Sequence, residues 1–144
     1  MEKDLQNVIF ENEFFLFYLS DETNIHLDSK SRDKQEIYDS NEVMSQDDKL
    51  KRIDNVLEYF YNFWKLLENT GDEKLYTMHF NINLVMINVP PPYFIKINNT
   101  LNSLKSVFIK NLKESYFKIE HKLTRYFFDL VLKLYVPIKP IHII

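Results

Sequence analysis

The chain has 144 residues, a formal net charge of −3 and no cysteine, which fits a single domain and excludes disulfides, thiolate metal sites and cysteine nucleophiles. Its one glycine, Gly71, excludes a Walker loop and a dinucleotide-binding glycine fingerprint. The lack of a basic excess argues against nucleic acid as a partner, and alanine is missing while Asn, Ile, Phe and Tyr abound, as AT-rich coding would produce.

Residues 1–13 are polar and start on the acidic Met1-Glu2-Lys3-Asp4, not on the basic and then apolar pattern of a signal peptide. Phe14–Leu19 is short, aromatic and bounded by polar residues, which predicts a buried strand. At six residues it is also the longest apolar run, far below the roughly 20 that a membrane span needs. A cytoplasmic location is the expectation. The polar stretch 20–48 holds two apolar islets, Ile25/Leu27 and Ile37/Tyr38, one or both of which supply a second strand after a long loop.

Over residues 46–69, Leu50, Ile53, Leu57, Phe60, Trp64 and Leu67 recur at three- and four-residue spacing and predict an amphipathic helix. Ser45 is its expected N-cap, with Asp47 and Asp48 beside the positive helix end. Gly71 is its expected left-handed terminator. Strand-prone runs follow at Leu75–Phe80 and Leu84–Val89, then a break at Pro90-Pro91-Pro92, then a third run at Tyr93–Ile97. Asn98-Asn99-Thr100 opens the last section, with Asn99 or Thr100 as the expected helix cap. Leu101, Leu104, Phe108 and Leu112 mark one helix face, Ile119, Leu123, Phe127, Leu130 and Leu134 another, with a joint at Glu114–Glu120. The tail 137–144 is extended by Pro137 and Pro140, and either packs along a sheet edge or marks where further domains were lost. The order β-β-α-β-β-β-α-α describes an α+β fold with a mainly antiparallel sheet of about five strands.

Chemistry is sparse along the chain. His26, His79, His121 and His142 sit in unrelated settings, without the one-turn spacing of a helical zinc site. Asp47-Asp48 and Asp72-Glu73 lie at helix ends, where the dipole and turns account for them. Lys49-Leu50-Lys51-Arg52 reads as a solvated face. No catalytic, cofactor or metal residues are assigned.

The helix over 46–68 carries a second apolar stripe, Val56, Tyr59, Phe63 and Leu66, beside the first. Together the stripes cover about 220° of the circumference, where a helix lying on one surface needs a little over 100°. Either the helix is wedged in a groove of its own domain, or the second stripe faces a partner. The second reading makes Val56, Tyr59, Phe63 and Leu66 the expected partner interface.

The element order resembles the longin arrangement, and local pieces resemble the first longin domain of the Ccz subunit of the Mon–Ccz exchange factor and its inturned and Hermansky–Pudlak relatives. The pieces are Phe14-Phe15-Leu16-Phe17-Tyr18, Glu36–Val43, Lys51–Leu57 running on to Phe63, Leu84–Pro90 and Leu123–Val131. Family members continue into two further longin domains, and the segment before Leu84 is shorter here, so the resemblance implies a divergent, stand-alone or truncated copy over residues 14–136. It implies one long helix on one face of the sheet and two C-terminal helices on the other. It further implies a non-enzymatic domain in vesicle or endolysosomal trafficking, pairing with another longin-domain protein and engaging a small Rab-type GTPase as part of an exchange-factor platform. Such a protein is cytoplasmic and reaches endosomal or vacuolar membranes peripherally, through a complex. The alternatives are another longin-type adaptor or tethering-complex subunit, and a small histidine/carboxylate hydrolase or metal protein using His79.

Overall fold

The computed structural model describes residues 7–30, 45–82, 91–119, 122–135 and 137–144. Along them run β1 (Val8–Glu11), β2 (Phe15–Leu19), β3 (Asn24–Ser29), α1 (Gln46–Thr70), β4 (Tyr76–Asn81), α2 (Pro91–Ser103), α3 (Lys105–Asn111), β5 (Leu112–Lys118), α4 (Lys122–Leu134) and β6 (Ile141–Ile143). The strands form one sheet in the order β1-β2-β3-β4-β5-β6. The pairs β1/β2 and β2/β3 are antiparallel; β3/β4, β4/β5 and β5/β6 are parallel.

The fold is therefore α+β in the coarse sense expected, but its sheet is mixed and has six strands. The first three strands form a meander through tight turns. Asn12 makes the first turn by accepting, through Oδ1, the amides of Phe14 and Phe15 at 2.9 Å each. Its side-chain amide donates to the Arg52 carbonyl at 3.1 Å. Arg52 in turn grips Glu13 with two guanidinium nitrogens, at 2.7 and 3.2 Å, so the turn is fastened to α1. Asp21 organises the second turn, accepting the amides of Thr23 and Asn24 at 2.9 Å.

Helix α1 begins and ends as its sequence predicts. The Ser45 hydroxyl accepts the Asp48 amide at 3.1 Å, and Gly71 closes the helix with φ 70° and ψ 24°. Parallel strands in sequential order need a crossover at each step, and crossovers of one hand place successive helices on the same face. That is the arrangement here. A single cavity is lined by α1 (Ile53, Phe60), α2 (Leu101), α3 (Phe108) and α4 (Phe128, Val131), together with the strand residues Leu27, Met78, Phe117 and Ile141. The long helix and the later helices thus share one face of the sheet; they do not lie on opposite faces.

The core sits in this layer. Trp64 is fully buried, edge-on to Phe108 at 5.1 Å, and Phe17 meets Phe60 and Phe63 at 5.9 and 5.7 Å. Phe80 stacks on Phe117 at 4.5 Å, and Phe117 touches Phe128 at 4.5 Å.

Several expectations change. Tyr93–Ile97 is helical, because Pro91 and Pro92 occupy the first turn of α2, where a missing amide costs nothing and the fixed φ suits a helix. Asn98, Asn99 and Thr100 are inside α2, not at a cap, and Thr100 bonds back to the Lys96 carbonyl at 3.0 Å. The expected joint at 114–120 is mostly strand β5, so the last helices are separated by a strand. The polar segment 1–13 contributes β1 and the tail contributes β6, both paired into the sheet. Lys49 is buried, and Arg52 is paired with Glu13, so the basic cluster is not a solvated face. The islet Ile37/Tyr38, the run Leu84–Val89 and His121 lie outside the described residues.

Candidate functional site

Alternation along a strand sends successive residues to opposite faces. On β3, Ile25 and Leu27 enter the core, while Asn24, His26 and Asp28 point the other way. On β4, Tyr76, Met78 and Phe80 go inward and Thr77, His79 and Asn81 outward. The register then aligns one outward residue per strand: Tyr18, His26, His79, Tyr116 and His142 are consecutive Cα partners from β2 to β6. Their rings stack in one row, with centroids 4.8, 4.5, 5.6 and 4.8 Å apart and planes within 25° of parallel. These distances follow the spacing of neighbouring strands, about 4.8 Å.

Local oxygens fix each imidazole. His26 Nε2 lies 2.8 Å from Ser20 Oγ, His79 Nε2 2.8 Å from Asn24 Oδ1, and His142 Nε2 2.9 Å from Glu114 Oε1. Asn24 is itself oriented, its amide donating to both oxygens of Asp21 at 3.0 and 2.9 Å. Its Oδ1 therefore accepts, which assigns the N–H of His79 to Nε2. Burial pushes the His79 pKa down from its ordinary value, partly opposed by Asp21, Asp28 and Glu114. Burial raises the Tyr116 phenol, and Glu114 adds to the shift.

Stacked on one another, the inner rings have no free faces, so a nucleobase cannot stack on them as on a single-strand-binding platform. Ring edges are what this surface presents, a strip of imidazole and phenol hydrogen-bonding groups flanked by exposed Asn81 and Lys118. Ser20 and His26 have the separation of an activated hydroxyl and its base. In that turn, however, the amides of Thr23 and Asn24 are spent on Asp21 and the Ser20 amide on the Asn24 carbonyl, so these three are not free to steady an oxyanion. Among the described residues no three His, Cys, Asp or Glu side chains are grouped to hold a metal ion.

The second feature is the cavity between sheet and helices, about 190 Å³ in volume and walled almost wholly by apolar side chains. Protein cores rarely keep voids larger than a water molecule.

The residues expected to meet a partner are split by the fold. Val56 is 4% exposed and part of the core. Phe63 is half-buried, edge-on to Trp64 at 5.7 Å and Tyr76 at 6.3 Å. Tyr59, 44% exposed, lies flat on Phe10 at 4.3 Å, and only Leu66, at 62%, projects freely. The wide apolar arc is needed because α1 touches the sheet on one side and α3 on another. Sequence reasoning missed the ring row, although Asn24-x-His26-x-Asp28 and Thr77-x-His79-x-Asn81 alternate in the manner of strands with a polar outer face.

Set against family models, curated proteins and solved structures, the chain matches none.

Proposed function

We propose that the chain is a non-enzymatic interaction domain whose partner lies on the face of the sheet opposite the helices. The observation that carries this reading is the parallel half of the sheet, β3–β6, with the described helices on one face alone. Parallel sheets occur almost only with both faces covered; at β2 this face is already closed over Leu16 and Tyr18, 8% and 7% exposed, and over β3–β6 a partner supplies the cover. The polar and aromatic composition of that face, Asn, His and Tyr without a large aliphatic patch, suits an interface that forms and separates, not a permanent one. The class of the partner rests on the sequence resemblance: a second longin-domain protein, with a small Rab-type GTPase, in endosomal or vacuolar trafficking. Among the described residues no helix is long and apolar enough to cross a membrane.

The test is co-purification from the cell that encodes the chain. Lys118→Glu combined with His142→Asp, both at exposed positions of the ring-bearing face, should abolish partner recovery with the fold unchanged. Ile109→Asp, on an exposed part of α3, should not. The reverse pattern overturns the reading, and the identity of the recovered partner tests the trafficking role.

A further inference from the structure

We propose that β6 is the pairing edge of a symmetric dimer, in which a second copy of this chain adds its own β6 antiparallel and the two sheets run on as one. The contact uses the sheet's edge, not its ring-bearing face, and is independent of the partner proposed above. Three observations carry it. The first is what the edge leaves open. The Pro140 carbonyl accepts the Ser115 amide at 3.0 Å, and the Ile144 amide donates to the Phe117 carbonyl at 2.9 Å. Residues 140, 142 and 144 therefore turn their backbone groups towards β5, and alternation turns those of Ile141 and Ile143 outward. Among the described residues no strand lies beyond β6. Pro140 does not blunt this edge, because the amide it lacks would face β5.

The second is the contrast with the other edge of the sheet. Strand β1 is interrupted by a bulge between Val8 and Phe10, and it ends on Glu11, ion-paired with Lys30 at 2.6 Å. Bulges and charges are the devices that keep an edge from pairing. Strand β6 has neither: its register is unbroken from Ile141 to Ile143, and both Ile143 and the adjoining Ile144 are exposed. The third is self-complementarity. A two-fold axis through His142 sets Ile141 opposite Ile143 of the second copy, and each such pair exchanges two N–H···O=C bonds through the outward groups. Ile144 then meets Pro140, and no Lys, Arg, Asp or Glu within residues 140–144 faces a like charge. The rotation keeps the helices of both copies on one face and both ring rows on the other. The contact is small, at the low end of specific interfaces, so the dimer forms as concentration rises.

Sedimentation velocity of the purified full chain, from about 1 to about 500 µM, spans weak association and should show monomer passing into dimer. Ile143→Pro removes an outward amide and leaves those facing β5; Ile143→Lys adds an edge charge. Each should weaken the dimer about tenfold or more with the circular dichroism retained, and Ile109→Lys, on an exposed part of α3, should not. Register is read by disulfide formation, since the chain has no cysteine of its own. His142→Cys brings two thiols face to face in a pair whose Cα atoms are about 4.5 Å apart, within the range a disulfide accepts, and should cross-link on mild oxidation. Ile143→Cys, opposite Ile141 and not its own copy, should not. A chain that stays monomeric throughout the range, which leaves the edge to a strand of another protein, overturns the proposal. So does a dimer undiminished in the folded Ile143 variants, or cross-linking from position 143 with none from 142. Should Ile143→Pro fail to fold, Ile143→Lys and His142→Cys decide it.

Discussion

His26 and His79 lie face to face across the β3/β4 pair, their centroids 4.5 Å apart and their planes 10° from parallel. The pairing is a consequence of parallel register: the two residues are Cα partners on neighbouring strands, and both belong to the set that points away from the core. Neutral imidazoles tolerate this stacking, whereas two imidazolium ions at that distance would repel one another.

Acid should therefore loosen the fold through His79. The pKa of His79 is depressed by burial, so below its ordinary value near 6.5 the unfolded chain takes up a proton that the folded chain refuses. Stability is full above that value and falls as the pH drops from about 6.5 towards the lower folded value. His79→Gln should flatten this part of the profile. Urea midpoints measured at steps from pH 8 to pH 5 check it; an unchanged slope in the variant would assign the acid sensitivity elsewhere.

Trp64 is fully buried, and its indole N–H has no hydrogen-bond partner among the described residues. Trp64→Ala should cost about 3–5 kcal/mol through the void it leaves. Trp64→Phe removes an unsatisfied donor together with one ring, and should cost less than about 1.5 kcal/mol. Denaturant titration followed by circular dichroism reads both, since the only tryptophan is lost in each. Equal losses would mean that the N–H does find a partner.

Gly71 ends α1 at φ 70°, and a Cβ placed there would meet nothing within 4 Å. Gly71→Ala should thus cost about 1 kcal/mol from backbone strain alone, with Gly71→Asn intermediate. A loss of several kcal/mol, seen in thermal unfolding, would show that the position is crowded.

Tyr59 and Phe63, one turn apart on the same stripe, should behave differently. Phe63→Ala removes a ring wedged among Phe17, Trp64 and Tyr76 and should cost about 3–5 kcal/mol. Tyr59→Ala only uncovers Phe10 and should cost about 0.5–1.5 kcal/mol. Comparable costs would place both residues in the core.

What could be read from the chain was local. The Ser45 and Gly71 ends of α1 and the buried strand at Phe15–Leu19 follow from short-range rules that tertiary structure did not override. Tyr93–Ile97 misled because its residues favour strands, while the two prolines before it favour a helix start, and packing of α2 on α1 decided the matter. Tyr93 and Lys96 both reach Asp54 on α1. The segment Leu112–Lys118 was hidden by its bulge, which interrupts the two-residue alternation between Leu112 and Glu114. Nothing local links residues 18, 26, 79, 116 and 142. Their union depends on the pairing of five strands, a non-local fact, which is why three histidines read singly carried no signal.

On the proposed reading, a partner covers the ring-bearing face of the sheet. The most direct measurement of this is site-specific photocrosslinking in the native cell, with a photoreactive phenylalanine analogue at Tyr116 and, as controls, at Ile109 and Leu66. A discrete crosslinked partner from position 116, absent from both controls, is the predicted result. Crosslinks from position 66 or 109 with none from 116 would contradict the account and return the interface to the helical side of the molecule.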